Sequence, residues 1–395
     1  MKRAPMQLPW QPHNVPHGLL DILRGCNIKC AACYNTEPNK LKRLEEIEDE
    51  LNLMSGLRKL NSVSLVGGEP TLHPQLLEII RMIRHRGLHT ELFSNGVLVD
   101  DQAARSFKEA GVSIMMFHIE NGQVRHDLPA NYTAPDLWNL RRAKLALAAS
   151  HNLDPGLTLT AHLETPEEID EIVTFFINDP HALYLLVTLY HDITAIESIH
   201  GDLHAGMQGT LTNPQVAQNN WNMAMIQQRM AKLGLSPFAY LGSNVNKTSP
   251  RWLSYLVAAT HDPNGGDADW LDLTPSYMEP AFLRLHHLVM RRFPFYQEQH
   301  PDRLRQQIVL NGLLGGRRAK NAAFLARIRG KEARLMAKRI VFQRPASVLQ
   351  DGTVEHCRNC PDAVIKNRRL VPVCISDRVS VSSAGIRFSS TGDPS

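Results

Sequence analysis

Apolar residues along this chain of 395 residues fall into two alternating spacings, most regularly in its first half. Gly18–Leu23 is a short apolar run that reads as a strand. Leu41–Leu60 follows with Leu44, Ile47, Leu51, Leu57 and Leu60 at roughly helical spacing and acidic residues on the other face. Ser62–Val66 is β-rich, His73–Arg86 places Leu76, Leu77, Ile80 and Ile83 on one helical face, and Thr90–Phe93 is a third strand. The pattern continues with a helix over Asp101–Ala110, a strand over Val112–Ile119 and a helix over Trp138–Ser150. Strand Leu157–Leu163, helix Pro166–Ile177 and strand Leu183–Tyr190 complete it. Strands alternating with helices of this length predict a parallel sheet. In front of them, residues 1–17 hold Pro5, Pro9, Pro12 and Pro16, so this arm is expected to run extended rather than as a helix or central strand.

Beyond Tyr190 the alternation stops. Residues 195–345 read as helices and loops, with helical spacing in Pro214–Leu233, Trp252–Thr260, Pro280–Arg292 and Arg303–Leu313. The block is too long for a connector; it is expected to cap the sheet and shape a substrate cavity, with Trp221, Trp252, Tyr255 and Trp270 in the core. Residues 317–344 are strongly basic, from Arg317 and Arg318 to Lys338, Arg339 and Arg344. Phe324, Leu325, Ile328, Leu335 and Ile340 are interleaved among them. A basic amphipathic helix is the expectation, either as the solvated face of a packed helix or as a peripheral contact with an anionic membrane or a phosphate-bearing substrate. From Ser380 the tail is polar and rich in Ser and Gly, which predicts disorder.

Composition narrows the class. With 43% hydrophobic and 21% charged residues the chain can bury a large core, and a net charge of +4 makes no case for nucleic acid. No apolar run follows Lys2-Arg3, so no signal peptide is expected, and no stretch has the length of a membrane span. A cytoplasmic location is the expectation. The six cysteines fall in two triplets, Cys26/Cys30/Cys33 and Cys357/Cys360/Cys374. Tight triplets point to metal or cluster ligands in a reducing compartment rather than to disulfides.

The first triplet has the spacing C-x3-C-x2-C, on a loop just after the first strand and followed by Tyr34. Thiolates bind soft metals and iron–sulfur clusters; a zinc loop or three unrelated core thiols are the alternatives. The second strand ends in Gly67-Gly68-Glu69-Pro70, the third in Ser94-Asn95-Gly96, and the fourth in His118-Ile119-Glu120-Asn121-Gly122. Glycines at such a turn let a backbone approach a ligand. Together these features resemble the radical S-adenosylmethionine (SAM) superfamily. The resemblance implies a partial (β/α)6 barrel over 18–194 with its chemistry at the C-terminal ends of the strands. It also implies a [4Fe–4S] cluster on Cys26, Cys30 and Cys33 whose fourth iron chelates SAM, cleaved by one electron to a 5′-deoxyadenosyl radical. SAM contacts would come from Tyr34, Gly67, Gly68, Glu69, Pro70, Ser94 and Asn95. His118 and Glu120 stand where relatives carry a Ser-x-Asp-Gly tail near the ribose. His162 and Glu164, at the end of the fifth strand, either line the cavity or face solvent.

The second triplet reads C-x2-C-x13-C, a two-cysteine knuckle plus one thiol from a following strand, within a segment taken as 346–379. It resembles the auxiliary-cluster sites of other members of that superfamily, and a second [4Fe–4S] cluster is the expectation. A zinc knuckle with His356 as fourth ligand is the alternative. The whole then reads as an enzyme that abstracts hydrogen from a small-molecule or lipid-like substrate, served by a reductant such as flavodoxin or ferredoxin. No leader-recognition segment is evident before Gly18, which ranks a peptide-modifying maturase second. A non-catalytic zinc or iron–sulfur binding protein is the reading from another class.

Overall fold

The structure, a computed structural model, describes residues 4–31, 33, 40–161, 165–190, 221–261, 266–296, 298–329, 334–349, 353–382 and 385–388. Its N-terminal half alternates as the spacing predicts. Strands β1 (Met6–Gln7), β2 (His17–Leu23), β3 (Lys29–Cys30), β4 (Ser62–Gly67), β5 (His89–Ser94), β6 (Val112–His118), β7 (Gln123–Val124), β8 (Asp154–Ala161) and β9 (Tyr184–Leu189) are interleaved with five helices. These are α1 (Leu44–Leu57), α2 (Leu76–His85), α3 (Asp101–Ala110), α4 (Ala134–Ser150) and α5 (Pro166–Asn178). Local chemistry sets the helix starts. Asp100 accepts from the Ala103 N–H before α3, and Thr165 and Glu168 cap each other's backbone before α5.

Strands β2, β4, β5, β6, β8 and β9 pair in that order and all in parallel, which makes the six-unit α/β sheet of a partial barrel. Alternate side chains point to opposite faces. Leu20, Ile22, Val63, Leu65 and Leu92 pack outward with Ile47, Leu51 and Ile80 of the helices. His17, Leu19, Asp21, Ser62, Ser64, Val66, Glu91 and Phe93 therefore share the concave face. The C-terminal segment covers that face: Val364 and Val373 pack on Leu19, Val66 and Phe93, and Arg24 holds Asp377 through two hydrogen bonds of 2.8 and 3.0 Å.

The second half departs from expectation. The stretch Trp252–Thr260, expected as a helix, lies in strand β11 (Pro250–Thr260), which joins the main sheet with β10 (Ala239–Gly242), β12 (Asp269–Leu273) and β13 (Leu335–Gln343). β13 adds to β9 in parallel, and β11 pairs antiparallel with β13, β12 and β10. The helical expectation for 195–345 thus holds only for Met223–Lys232, Met278–Met290, Pro301–Gly315 and Arg318–Arg327 among the described residues. The basic helix over 317–344 is likewise corrected, because its second half is β13. There Lys338 is fully buried, its ammonium donating to the carbonyls of Phe176 and Asp179 at the end of α5. Trp221 and Tyr255 are buried in the main core with Trp270 packed against it, and Trp252 is buried in a separate cluster with Trp10 and Leu241.

The arm's Met6–Gln7 extends the sheet edge beside β10. The C-terminal segment is built of two-stranded ribbons, β14 (Ser347–Val348) with β15 (Val354–Glu355), and β16 (Ala363–Lys366) with β17 (Arg369–Pro372). In the tail expected to be disordered, β18 (Val379–Ser382) pairs with β19 (Gly385–Phe388). No helix among the described residues is long and apolar enough to cross a membrane.

Candidate active site

Strand β2 runs directly into the cysteine loop, and the Gly-Gly-Glu turn is bonded to the junction. Gly68 N–H donates to the Leu23 carbonyl and Glu69 N–H to the Gly25 carbonyl, both at 2.8 Å. A Cβ on Gly67 would strike the Leu23 carbonyl, and one on Gly68 the carbonyls of Arg24 and Gly25. The glycines therefore admit the backbone that leads into Cys26, a closer constraint than the ligand approach expected from sequence. Pro70 opens a 3-10 turn behind them, Pro70–Leu72.

Glu69 is fully buried and ties this turn to β5. Its Oε1 accepts from Ser94 Oγ (2.8 Å), Thr71 Oγ1 (2.6 Å) and Thr71 N (3.1 Å), and its Oε2 from Asn95 N (2.7 Å). Its carboxylate thus fixes the ends of β4 and β5 to each other, a role inside the protein that the motif alone did not disclose. Asn95 then reaches the cysteine loop, donating to Asn27 Oδ1 at 2.7 Å and lying 3.9 Å from Cys26 Sγ.

The end of β6 meets the loop from the other side. Cys30 stands opposite Gln123 in the β3–β7 pairing, and Gln123 Nε2 lies 3.5 Å from Cys30 Sγ. His118 Nε2 is 2.8 Å from Glu120 Oε2, which also accepts from Thr160 N at 2.6 Å. Burial favours the neutral His118 ring, but the Glu120 carboxylate overrides it and holds its pKa above the usual value. The structure therefore brings Cys26, Cys30, Cys33, Gly67, Gly68, Glu69, Ser94, Asn95, His118 and Glu120 to one end of the parallel sheet. Tyr34, His162 and Glu164 lie outside the described residues. Sequence reasoning missed Asn27, Gln123 and Arg125; their signal is position, inside the cysteine motif and just past the β6 turn.

Burial raises the Cys26 and Cys30 thiols, and each is raised further by a carboxylate, Glu69 or Glu120, and by neighbouring thiols. The three sulfurs thus share one electrostatic field, and loading a metal on them expels protons. Among the described residues no three His, Cys, Asp or Glu side chains converge on a single metal ion. A cube asks for something else, because each thiolate holds its own iron. Cys26 is exposed and Cys30 and Cys33 are partly so, and amide donors face two of them, which fits that group.

The second triplet is assembled on the far part of the sheet. Cys357 bridges Ser243, and Arg358 N–H donates to the Gly242 carbonyl at 2.9 Å. Asn359 adopts φ 55° in the knuckle and donates to the Trp10 carbonyl at 2.7 Å. Cys374 lies in a 3-10 turn, Val373–Arg378, rather than on a strand. The Cys360 thiol is raised by its hydrogen bond with Cys357 and by burial, and burial with the Cys360 charge pushes Cys374 up to about 12. His356, the candidate fourth zinc ligand, donates Nδ1–H to the Cys357 carbonyl at 3.0 Å.

Between the two triplets the concave face carries buried polar groups. His17 contacts Ser62 Oγ at 2.7 Å and Ser64 Oγ at 3.0 Å and stacks on Phe295 at 4.2 Å. Ser64 Oγ donates to Glu91 Oε2 at 2.8 Å. Burial lowers His17 to about 3, Arg58 adding to the effect, and burial raises Glu91 to about 7 against the Ser64 hydrogen bond. A carboxylate whose folded pKa lies above its unfolded value contributes stability below the unfolded value and loses it as pH rises through the folded one. For Glu91 that window runs from about 4.5 to about 7 and is worth up to roughly 3 kcal/mol. Glu91→Gln should therefore gain stability relative to the parent as pH rises through this window, read by urea denaturation at about pH 4 and about pH 8. A difference independent of pH would contradict the assignment.

Residues 20–176 match the Radical SAM superfamily family model. The tungsten-containing aldehyde ferredoxin oxidoreductase cofactor-modifying protein of Pyrococcus furiosus is 21% identical over 40% of this chain and 47% of its own length. The PqqA peptide cyclase of Bradyrhizobium diazoefficiens is 28% identical over 40% of this chain and 43% of its own. Streptococcus suis SuiB bound to S-adenosylmethionine superposes with a TM-score of 0.40 at 16% identity, covering 55% of this chain and 47% of that one. The chain spans about half the length of these curated relatives. Family match, strand order and the joined motif ends agree: residues 20–176 are a domain of the radical SAM superfamily.

Proposed function

We propose that the chain is a radical SAM iron–sulfur enzyme, with Cys26, Cys30 and Cys33 holding a [4Fe–4S] cluster and the turn at Gly67–Pro70 binding SAM. The observation that carries this reading is the direct bonding of the Gly68 and Glu69 N–H groups to Leu23 and Gly25, which makes the cluster loop and the SAM turn one unit. When bound, cluster and SAM supply a carbon radical able to abstract hydrogen from an unactivated position. The protein orients them: Glu69 fixes the β4 and β5 ends, Asn95 and Gln123 face Cys26 and Cys30, and Glu120 holds His118 at the rim. The C-terminal segment excludes water by seating Val364 and Val373 on the concave face.

Cys357, Cys360 and Cys374 are assigned a second cluster that assists the reaction, and a reductant such as flavodoxin or ferredoxin delivers the electron. A small-molecule or lipid-like substrate suits a concave face that the chain's own segment already covers, and a peptide substrate is the second reading, favoured by the likeness to the PqqA peptide cyclase. Membrane contact through 317–344 is not part of the proposal, because Leu335–Gln343 is a central strand.

Anaerobic reconstitution with iron and sulfide, then assay of 5′-deoxyadenosine under reductant, tests the reading. About eight irons with deoxyadenosine formed is the expected result for two cubes. About four irons would remove the second cluster, and a loaded protein that leaves SAM intact would overturn the enzyme.

A further inference from the structure

We propose that Gln123, held in one orientation by Arg125, donates an N–H···S hydrogen bond to Cys30 and thereby sets the reduction potential of the cluster. The inference rests on the proposed role of Cys30 as a cluster ligand and adds a positioning pair that no motif contains.

Gln123 is 2% exposed, so its amide is fixed by neighbours rather than by water. Register places it directly across from Cys30 in the β3–β7 pairing. An amide can be turned by 180° without changing its shape, so its orientation must be argued from partners. Two donors converge on Oε1: Arg125 NH1 at 2.8 Å and the Glu120 N–H at 3.3 Å. A turned amide would set its NH2 group against both. Nε2 must therefore face the other way, where the His118 carbonyl lies at 3.2 Å and Cys30 Sγ at 3.5 Å.

Arg125 is itself immobile. Its side chain is buried, Asp127 grips it through two contacts of 2.9 Å, and it donates to the Asn95 carbonyl at 2.8 Å. The sequence Asp127–Arg125–Gln123–Cys30 thus sets an N–H on a ligand sulfur. Asn95 offers Cys26 a weaker counterpart, since its amide lies 3.9 Å from the sulfur and donates mainly to Asn27. Negative charge on the ligand sulfurs grows when a cluster takes up an electron, and a donor pointed at them stabilises the reduced form more than the oxidised one. Hydrogen bonds to sulfur are one of the levers that set such potentials.

The test is an anaerobic potentiometric titration of the reconstituted protein without SAM, followed by electron paramagnetic resonance. Gln123→Leu should shift the midpoint negative, with a three- to tenfold lower reduced-to-oxidised ratio at fixed potential, tenfold being about 59 mV for one electron. Gln123→Glu, of the same shape but with an acceptor and a charge, should shift further. Arg125→Lys keeps the charge but loses the fixed fork, so a purely coulombic role predicts no change, whereas the orienting role predicts a negative shift. Should Gln123→Leu fail to load a cluster, the Arg125→Lys result decides. Midpoints equal to the parent's in the loaded variants overturn the proposal while leaving the cluster assignment intact. A cluster that survives Cys30→Ala unchanged overturns both.

Discussion

Cys30→Ala should reduce SAM cleavage to the uncatalysed background, whereas Cys357→Ala should leave uncoupled cleavage in place and remove product formation. The asymmetry follows from position. Cys30 is pinned by the β3–β7 pairing and lies under the Gln123 amide at the end of the sheet where Glu69, Ser94 and Asn95 gather. A cube held by three thiolates loses one iron's anchor when one is removed. Cys357 belongs to a different neighbourhood, bridged to Ser243 and packed with Trp10, Leu241, Trp252 and Phe293. Its loss leaves every contact of the first site untouched. Deoxyadenosine release and product formation, each measured with the iron content of both variants, separate the two roles. Equal loss of cleavage in both would falsify the division of labour between the triplets.

That division was partly legible in the sequence, and the reason lies in how each part is stabilised. The parallel strands carry one face for the helices, so Leu20, Ile22, Val63 and Leu65 mark them by period, and the motifs follow at their ends. β11 is buried along almost its whole length, with only Ser254 and Leu256 intermediate after its first residue. A strand buried on both faces loses its period of two, and Leu253, Leu256, Val257 and Thr260 then mimic helical spacing. β13 misleads through charge. Lys338 and Arg339 point to opposite faces, and each is satisfied by backbone carbonyls, of Phe176 and Asp179 on one side and Phe295 on the other. Sequence alone reads such residues as solvated. The same limit hid Glu69's internal role and the Gln123–Cys30 contact, because both depend on partners at least 25 residues away.

Arg58→Ala should cost about 3 kcal/mol of stability and empty the second triplet of iron while the first still loads. Arg58 closes α1 and is buried with its guanidinium donating to three carbonyls, His17 at 2.8 Å, Cys360 at 2.7 Å and Pro361 at 3.3 Å. Removing it leaves these acceptors without their donor in an enclosed site, where each orphaned group carries its desolvation penalty. The contact is also what moors the Cys357–Cys360 knuckle to the barrel's first helix, more than 300 residues away in sequence. With the mooring gone, Cys360 no longer holds its place beside Cys357 and Cys374. Arg58→Lys keeps one donor group and should recover part of both losses. Urea denaturation of the iron-free protein gives the stability term, and iron counted in Arg58→Ala against Cys357→Ala gives the site term. A variant that keeps its full iron complement and the parent's unfolding midpoint would show that Gly242–Asn244 and the Asn359–Trp10 contact hold the knuckle without Arg58.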